Sequence, residues 1–331
     1  MLDQSKGVLG WATADLVHLD KLEPGVIARL LTAAPRVRHA MLLAVAAQGT
    51  GREGGAGDTP ALDTALARVL RRERARDIVA HVFGESPDGL IGALARLGDA
   101  PLTCPLAYLG LRDIFTNPND AAKAKVLGQV GDITEQKLAV IDALDPRWLH
   151  PEALARIGTP LVARAFNAAI AAAQQVSSTA TDEMVMQMIG RLQHRQSLAD
   201  VVERIKRRAD RFPAHPVTED TDIRPLTTAP DMIRTGRAYR NCLVQKIDDV
   251  LAGRTAYAEF CGEAILEFRP LAGGYGWLFA EAYVANNAMV PPTIYEAARS
   301  KCLDLGIPFL DSREDAMADR RIKRLLASTL P

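Results

Sequence analysis

The sequence has no excess charge of either sign, no long apolar run and few cysteines. Its 40 Lys and Arg balance its 40 Asp and Glu over 331 residues, which excludes a strongly basic or acidic surface as a global property. The most apolar run, at residues 40–48, is too short to cross a bilayer. The first 20 residues lack the pattern of a secretory signal. Four cysteines without a CxxC spacing do not form a disulfide framework. We therefore expect a cytoplasmic protein with free thiols and no membrane partner.

The sequence also lacks the motifs of common catalytic and cofactor sites. It contains no P-loop, HExxH or GxSxG pattern. The glycines of residues 273–276 fall in a predicted hairpin loop, where no helix N-terminus follows to receive a pyrophosphate. Cys242, Cys261 and Cys302 match no zinc module, and no histidine follows His215 to complete a coordination sphere. The sequence thus predicts neither a cofactor nor a metal site.

The composition changes near residue 213. All six histidines lie at or before His215, whereas ten of the 17 aromatic residues follow residue 222. Four prolines, which interrupt helices, lie in residues 212–230. Together with the chain length, this change predicts two domains. We expect a helical domain over residues 1–212, a Pro-rich linker over 213–230 and an α+β domain over 231–331.

The first part has apolar residues at helical spacing. Helix starts are indicated at Thr134, at Pro151 and at Thr159-Pro160, and a further helix is expected from Thr181 or Asp182 to about Phe212. The fold class is therefore mainly α. No residue pattern repeats at a fixed period, so a helical bundle and an irregular α-superhelix both stay open.

The second part has short aromatic segments that partly alternate with polar residues. Residues 254–261, 264–269 and 276–284 are typical of strands, and they predict a three-stranded antiparallel meander. A helix with Tyr239, Leu243 and Ile247 on one face precedes the meander and is expected to end at Gly253. Another helix follows it, from Pro292 to Gly306. The order of these elements predicts a small α+β domain with helices on both sides of the meander.

Cys242 is the thiol with the most suggestive surroundings. At a helix N-terminus, the helix dipole together with Arg237 or Arg240 would favour the thiolate. In a thiol-dependent enzyme, Cys242 would be the nucleophile, Glu281 an acid or base, and Asn287 an orienting or oxyanion-binding group. Because this domain has no histidine, Glu263, Glu267 or a residue of the N-terminal part could also be the base. The structural alternative is a buried Cys242 beside the apolar face of its helix, since cysteine is often buried.

The same region is a candidate binding surface. Arg237, Arg240, Asn241 and Asn286 are polar residues that surround Cys242 and the end of the third predicted strand. Polar residues gathered where strands stop are common in binding sites, although an Asn-Asn pair is also an ordinary turn.

A third candidate is basic. Residues 191–211 hold seven Lys and Arg against three acidic residues. If these residues form one helix, a single face presents arginines at i, i+3, i+4 and i+7 that would contact phosphates, namely Arg204, Arg207, Arg208 and Arg211. A solvated helix face is the simpler interpretation of the same pattern.

The run from Ile233 to Ile307 resembles the PcfJ-like proteins, an uncharacterised bacterial group found with plasmids, phages and conjugative elements. The resemblance is carried by Gly236, Asn241, Cys242, Gly253, Trp277, Glu281 and Asn287. It implies an architecture and a mobile-element setting, and it brings no established reaction.

These observations lead to one main hypothesis and two alternatives. We expect a non-catalytic interaction or accessory protein of bacterial origin, linked to plasmid, phage or conjugative-element biology, with another protein as its partner. The first alternative is a thiol-dependent enzyme that uses Cys242. The second is a nucleic-acid-binding protein that uses the basic helix 191–211.

Overall fold

A computed structural model describes residues 9–51 and 59–309. Over these residues the chain is mainly helical, with sixteen α-helices and one four-stranded antiparallel sheet. No helix among them is long and apolar enough to cross a membrane. The chain divides into two compact units. The first comprises residues 1–167 with 189–193, and the second comprises residues 168–188 with 194–331.

The first unit is built from helices. Its central helix carries a continuous buried segment from His39 to Ala46, because it packs against three other helices, α5, α6 and α7. The helices are α1 (Thr13–Leu22), α2 (Val26–Thr32), the central α3 (Pro35–Gly51), α4 (Thr59–Arg72), α5 (Ala75–Phe83), α6 (Leu90–Ala95), α7 (Pro105–Thr116), α8 (Ala121–Gln129), α9 (Glu135–Ala143), α10 (Pro151–Arg156) and the first half of α11 (Pro160–Val176).

The helix starts that the sequence predicts are present in this unit. Thr134 caps α9, since its Oγ1 accepts the N–H of Lys137 at 3.2 Å. Helices α10 and α11 begin at Pro151 and Pro160, where the fixed proline φ suits the first turn. These boundaries are set by local chemistry.

The second unit combines helices with the sheet. Its elements are the end of α11, α12 (Asp182–Gly190), α13 (Leu198–Lys206), β1 (Ile223–Pro225), α14 (Ala229–Ala238), α15 (Ile247–Leu251), β2 (Ala256–Phe260), β3 (Ala264–Pro270), β4 (Trp277–Tyr283) and α16 (Pro292–Asp304). The strands are antiparallel in the order β1-β2-β3-β4. Helix α16 begins and ends where the sequence predicts a helix.

The sheet is covered on both faces. One face carries an apolar core of Phe260, Leu266, Phe268 and Phe279, which packs with Cys302 of α16. The other face contributes Tyr257 and Ile265 to a core with residues of α14 and α15. That second face also carries charged side chains, so its helices cover polar groups as well as apolar ones.

A β-bulge interrupts the pairing of β3 with β4. Glu267 lies opposite Glu281, whereas Phe268 lies opposite Phe279, so Ala280 is an extra residue on β4. The bulge lets the two phenylalanines face the apolar core while both glutamates face the other side.

The prediction of a three-stranded meander was one strand short. β1 pairs with β2, with Arg224 opposite Glu259, and it lies inside the segment predicted as a linker. Three residues ending in Pro225 give no strand signal by themselves, because proline cannot donate a ladder hydrogen bond. The pairing with a strand 30 residues later forms β1.

The division between the two units also differs from the predicted boundary at residue 213. Residues 168–188 and 194–212 belong to the second unit. Val176, Ala209 and Phe212 pack in the same core as Leu226 and Met232. The helical segment before the prolines is therefore part of the compact body that holds the sheet.

Two long predicted helices are shorter in the structure. The helix expected from Asp182 to Phe212 is two helices, α12 and α13, separated by residues 191–197. The helix expected from Tyr239 to Gly253 is a 3₁₀ turn over Leu243–Lys246 followed by α15. Apolar spacing continues through such turns, so it does not locate the breaks.

Candidate functional site

Cys242 lies in a turn that follows α14. Arg240 has φ of 49°, a left-handed conformation that ends the helix. The N–H of Asn241 then donates to the Gly236 carbonyl at 3.0 Å. A Cβ at Gly236 would lie 3.3 Å from the Leu243 Cβ, closer than most such contacts. Glycine therefore lets the turn fold back against α14.

A second left-handed turn follows β4. Asn286 and Asn287 have φ of 64° and 55°, which asparagine tolerates better than most residues. The N–H of Asn286 donates to the Tyr239 carbonyl at 2.8 Å, and the Cys242 Sγ lies 3.7 Å from the Asn287 Oδ1. The structure thus brings together Cys242 and Asn287, which are 45 positions apart in the sequence.

Arginine, asparagine and methionine side chains in or near these joined turns are exposed, and we call them the double-turn surface: Arg237, Arg240, Asn286, Asn287 and Met289. Met289 is 94% exposed. Across residues 9–51 and 59–309, neither arginine forms an ion pair. Cys242 and Asn241 are half-buried beneath this surface. The surface therefore combines two unpaired cations, two amides and one large apolar side chain.

Glu281 lies in a different set of contacts. Its Oε2 accepts the Tyr283 hydroxyl at 2.6 Å. Opposite it, Glu267 is 3% exposed and accepts from the Tyr257 hydroxyl at 3.2 Å, the Tyr283 hydroxyl at 3.3 Å and the Arg269 Nε at 2.8 Å. The carboxylate that the sequence suggested as acid or base for Cys242 is thus bound to a tyrosine of the sheet.

A second carboxylate cluster connects β1, β2 and α14. Glu259 accepts from the Arg224 Nε at 3.0 Å and from the Tyr239 hydroxyl at 3.1 Å. Arg224 Nη2 also donates to the Thr235 Oγ1 at 3.2 Å. Glu259 is not among the residues that the sequence predicts, and Glu267 is predicted only as a possible base for Cys242. Their only signal is a glutamate at alternate positions in aromatic strands, and the long-range partners are not visible in the sequence.

The tyrosines of these clusters stay protonated at neutral pH. Burial raises the pKa of Tyr239, Tyr257 and Tyr283 above the ordinary value. The neighbouring carboxylates raise it further, because a phenolate beside them would add a second negative charge. The three hydroxyls therefore act as hydrogen-bond donors that fix Glu259, Glu267 and Glu281.

The single basic helix predicted over residues 191–211 does not form. Helix α13 ends at Lys206. The N–H of Arg208 bonds to the Ile205 carbonyl, and the N–H of Arg211 bonds to the Val176 carbonyl, so the chain leaves the helix. Of the four arginines, only Arg204 lies in α13. They therefore do not share one helix face, although Arg207, Arg208 and Arg211 are exposed.

The other three cysteines differ in their surroundings. Cys302 is buried in the core between the sheet and α16, and burial raises the pKa of its thiol to about 12. Cys104 and Cys261 are exposed. Within the described part of the chain, no three His, Cys, Asp or Glu side chains are placed to hold a metal ion.

Comparison with known proteins gives no match: no family model, no curated protein and no solved structure matches this chain. The resemblance of residues 233–307 to the PcfJ-like proteins stays a prediction.

Proposed function

We propose that this chain is a non-catalytic interaction protein that recognises another protein through the double-turn surface. The observation that carries the proposal is the hydrogen bond from Asn286 to Tyr239, which joins two turns held in left-handed conformations. Non-glycine residues in such conformations cost about 1 kcal/mol or more each, and they tend to cluster at functional sites. A surface that is already ordered loses less entropy when it binds a partner.

The residue types of the surface support protein recognition. Arginine and methionine are enriched at protein–protein interfaces, and a methionine side chain adapts to varied apolar partners. Met289 is almost fully exposed, so an apolar contact with a partner would remove it from water. The adjacent arginines and amides would supply the polar rim.

A thiol-dependent enzyme is the second candidate function. The observation that favours it is the contact between Cys242 and Asn287 at 3.7 Å. The observation against it is the location of Glu281, whose hydrogen bond is with Tyr283. Nucleophilic catalysis needs a base within reach of the thiol, and the polar neighbour of Cys242 is an amide. The same arrangement suits a structural contact beneath a binding surface.

The proposed setting in plasmid, phage or conjugative-element biology rests on the PcfJ-like resemblance of residues 233–307. Nucleic-acid binding through Arg207, Arg208 and Arg211 has only their exposure in its favour. Protein recognition therefore has the stronger structural support.

The proposal is tested by site-specific photocrosslinking of the full chain in extract from its own cells. A photoreactive residue replaces Met289 in one sample and Leu303, an exposed residue of α16, in the control. We expect one protein to crosslink from position 289 and not from 303. Its yield should fall in the Arg240→Glu background, because the charge of the surface is reversed.

The variant Cys242→Ser separates the two candidate functions. If the chain recognises a protein without catalysis, the crosslink at position 289 persists in this variant, since serine keeps a small polar group beside Asn287. Equal crosslinking from positions 289 and 303, or a crosslink that depends on Cys242 alone, would count against the proposal.

A further inference from the structure

We infer that the partner of the double-turn surface presents an acidic segment, with its carboxylates against Arg237 and Arg240 and an apolar side chain against Met289. This inference rests on the proposed function and adds the chemistry of the partner. The two arginines differ from Arg224 of β1 and Arg234 of α14, which have acidic partners in the chain.

Three other arginines of the same unit are neutralised by carboxylates of the chain. Arg224 pairs with Glu259, Arg234 with Asp231 and Arg254 with Asp249. By contrast, Arg237 and Arg240 are exposed, and neither meets a carboxylate within the described residues. A planar guanidinium binds a carboxylate through two parallel hydrogen bonds. Two unpaired guanidiniums three positions apart thus provide places for two carboxylates of one segment.

The folded backbone fixes the positions of the Cα atoms from which these two arginine side chains extend. Arg237 lies in the last turn of α14, and Arg240 is held in a left-handed turn whose neighbour, Tyr239, accepts the N–H of Asn286. Less backbone freedom is therefore lost when a ligand binds. Asn286 and Asn287 add amide groups that can donate to and accept from the backbone of a bound segment.

The exposed Met289 favours a peptide over a nucleic acid as the ligand of this surface. A nucleic-acid backbone has no apolar group to cover a methionine, and the five residues of the surface include no aromatic side chain on which a base would stack. An acidic peptide with an apolar residue satisfies both the charge and the apolar contact. The observations therefore favour a protein segment over a nucleic acid.

The test is selection from a phage-displayed library of random peptides on the intact full-length chain. Selected peptides are synthesised with a fluorescent label, and their dissociation constants are measured by anisotropy. The variants are Arg237→Glu with Arg240→Glu, the milder Arg237→Gln with Arg240→Gln, and Met289→Asp. Arg207→Glu is the matched control, since Arg207 is also exposed and without an ion pair in the described chain. Thermal unfolding confirms that each variant is folded.

We expect peptides rich in Asp and Glu that also carry an apolar residue. Charge reversal at positions 237 and 240 should weaken their binding by about tenfold or more, the usual effect of losing an interface anchor. Arg207→Glu should leave binding unchanged, and added salt should weaken it.

Two other outcomes would overturn the inference in different ways. Peptides without acidic enrichment that still lose binding in Met289→Asp would reject the acidic partner and leave the proposed function in place. Peptides whose binding is unaffected by every variant of the surface, or no selected peptides, would reject both.

Discussion

The hydroxyl of Tyr283 lies 2.6 Å from the Oε2 of Glu281. The same hydroxyl is 3.3 Å from the Oε2 of Glu267, which faces Glu281 across the β3–β4 pair. Like charges directly opposite each other destabilise a sheet. A single phenolic hydrogen between two carboxylates offsets part of this repulsion, so Tyr283 has a structural role that its place at the end of β4 does not suggest.

Replacing this tyrosine tests that role. Tyr283→Phe should lower the free energy of unfolding by about 1 kcal/mol, the usual net contribution of one side-chain hydrogen bond, because Glu281 is exposed and Glu267 keeps two other donors. Urea denaturation measures the change. The matched control is Tyr275→Phe, since Tyr275 is 83% exposed and its hydroxyl lies in solvent; that variant should unfold as the wild type does.

A double variant distinguishes repulsion from lost packing. Adding Glu281→Gln to Tyr283→Phe should recover part of the stability, because it removes one of the two opposed charges. If the double variant is less stable than Tyr283→Phe alone, carboxylate repulsion is not what the tyrosine offsets.

Alkaline pH should destabilise the protein. Burial raises the pKa of four of the six tyrosines, Tyr108, Tyr239, Tyr257 and Tyr283. A tyrosine in the unfolded chain has a pKa of about 10. The stability that these tyrosines contribute is therefore present below about pH 10 and is lost as the pH rises above it. Urea midpoints and phenolate absorbance should change together. Full ionisation of these tyrosines in the folded protein, before unfolding, would contradict this.

Acid should also destabilise the protein, through His39 of the first unit. The neutral ring fits its surroundings, with Nε2–H donating to the Gly98 carbonyl at 2.9 Å and Nδ1 accepting from the Tyr108 hydroxyl at 2.8 Å. That hydroxyl accepts the Leu102 N–H at 3.2 Å. A proton on Nδ1 would leave the tyrosine hydrogen without an acceptor in this chain of bonds.

Burial lowers the pKa of His39, and it lowers that of His215 in the second unit in the same way. The stability due to these neutral rings is therefore complete above about pH 6.5 and is lost as the pH falls below it. The measurement is the urea midpoint across this range, together with histidine NMR. A His39 that titrates at its ordinary value in the folded protein would show that its site does not exclude the charge.

Alkylation should distinguish the cysteines by burial. Cys302 should react only when the protein unfolds, because it is buried and its thiol pKa is raised to about 12. Cys104 is exposed and should react in the native state. Cys261 is also exposed, but partial desolvation and the charges of Asp222 and Glu263 raise its pKa, which slows its reaction. Peptide mass spectrometry after timed iodoacetamide treatment gives the order, and native labelling of Cys302 would contradict the structure.

The sequence predicts those features that depend on neighbouring residues. Thr134 caps α9, and Gly253 ends the segment after Cys242 with φ of 67°; both follow from local preferences. Arg240 could not be predicted in a left-handed conformation, since arginine disfavours it. It is placed in a turn whose adjacent residue bonds to Asn286, and that bond joins residues 47 positions apart. The sequence could therefore suggest that polar residues gather here, but it could not predict the hydrogen bond or the left-handed turns that join them.

The carboxylate clusters were harder to predict from the sequence, because their partners are also distant along the chain. Glu259 and Glu267 look like solvent-facing residues of alternating strands, yet helices cover that face of the sheet. Tyr239 and Arg224, which bond to Glu259, come from elements that precede β2 by 17 residues or more. Only the folded chain shows that these charges are shielded and paired.

The bulge at Ala280 lets one strand place Phe279 on one face of the sheet and Glu281 on the other, which a regular strand could not do. In an uninterrupted strand, Phe279, Glu281 and Tyr283 would project from the same side. The extra residue turns the second half of β4 over, so that the phenylalanine enters the apolar core while the glutamate and tyrosine reach the opposite face. The loop with Asn286 and Asn287 continues from this reversed half. The two asparagines, of which Asn286 bonds to the residue that ends α14, thus follow the half of β4 that the extra residue reverses.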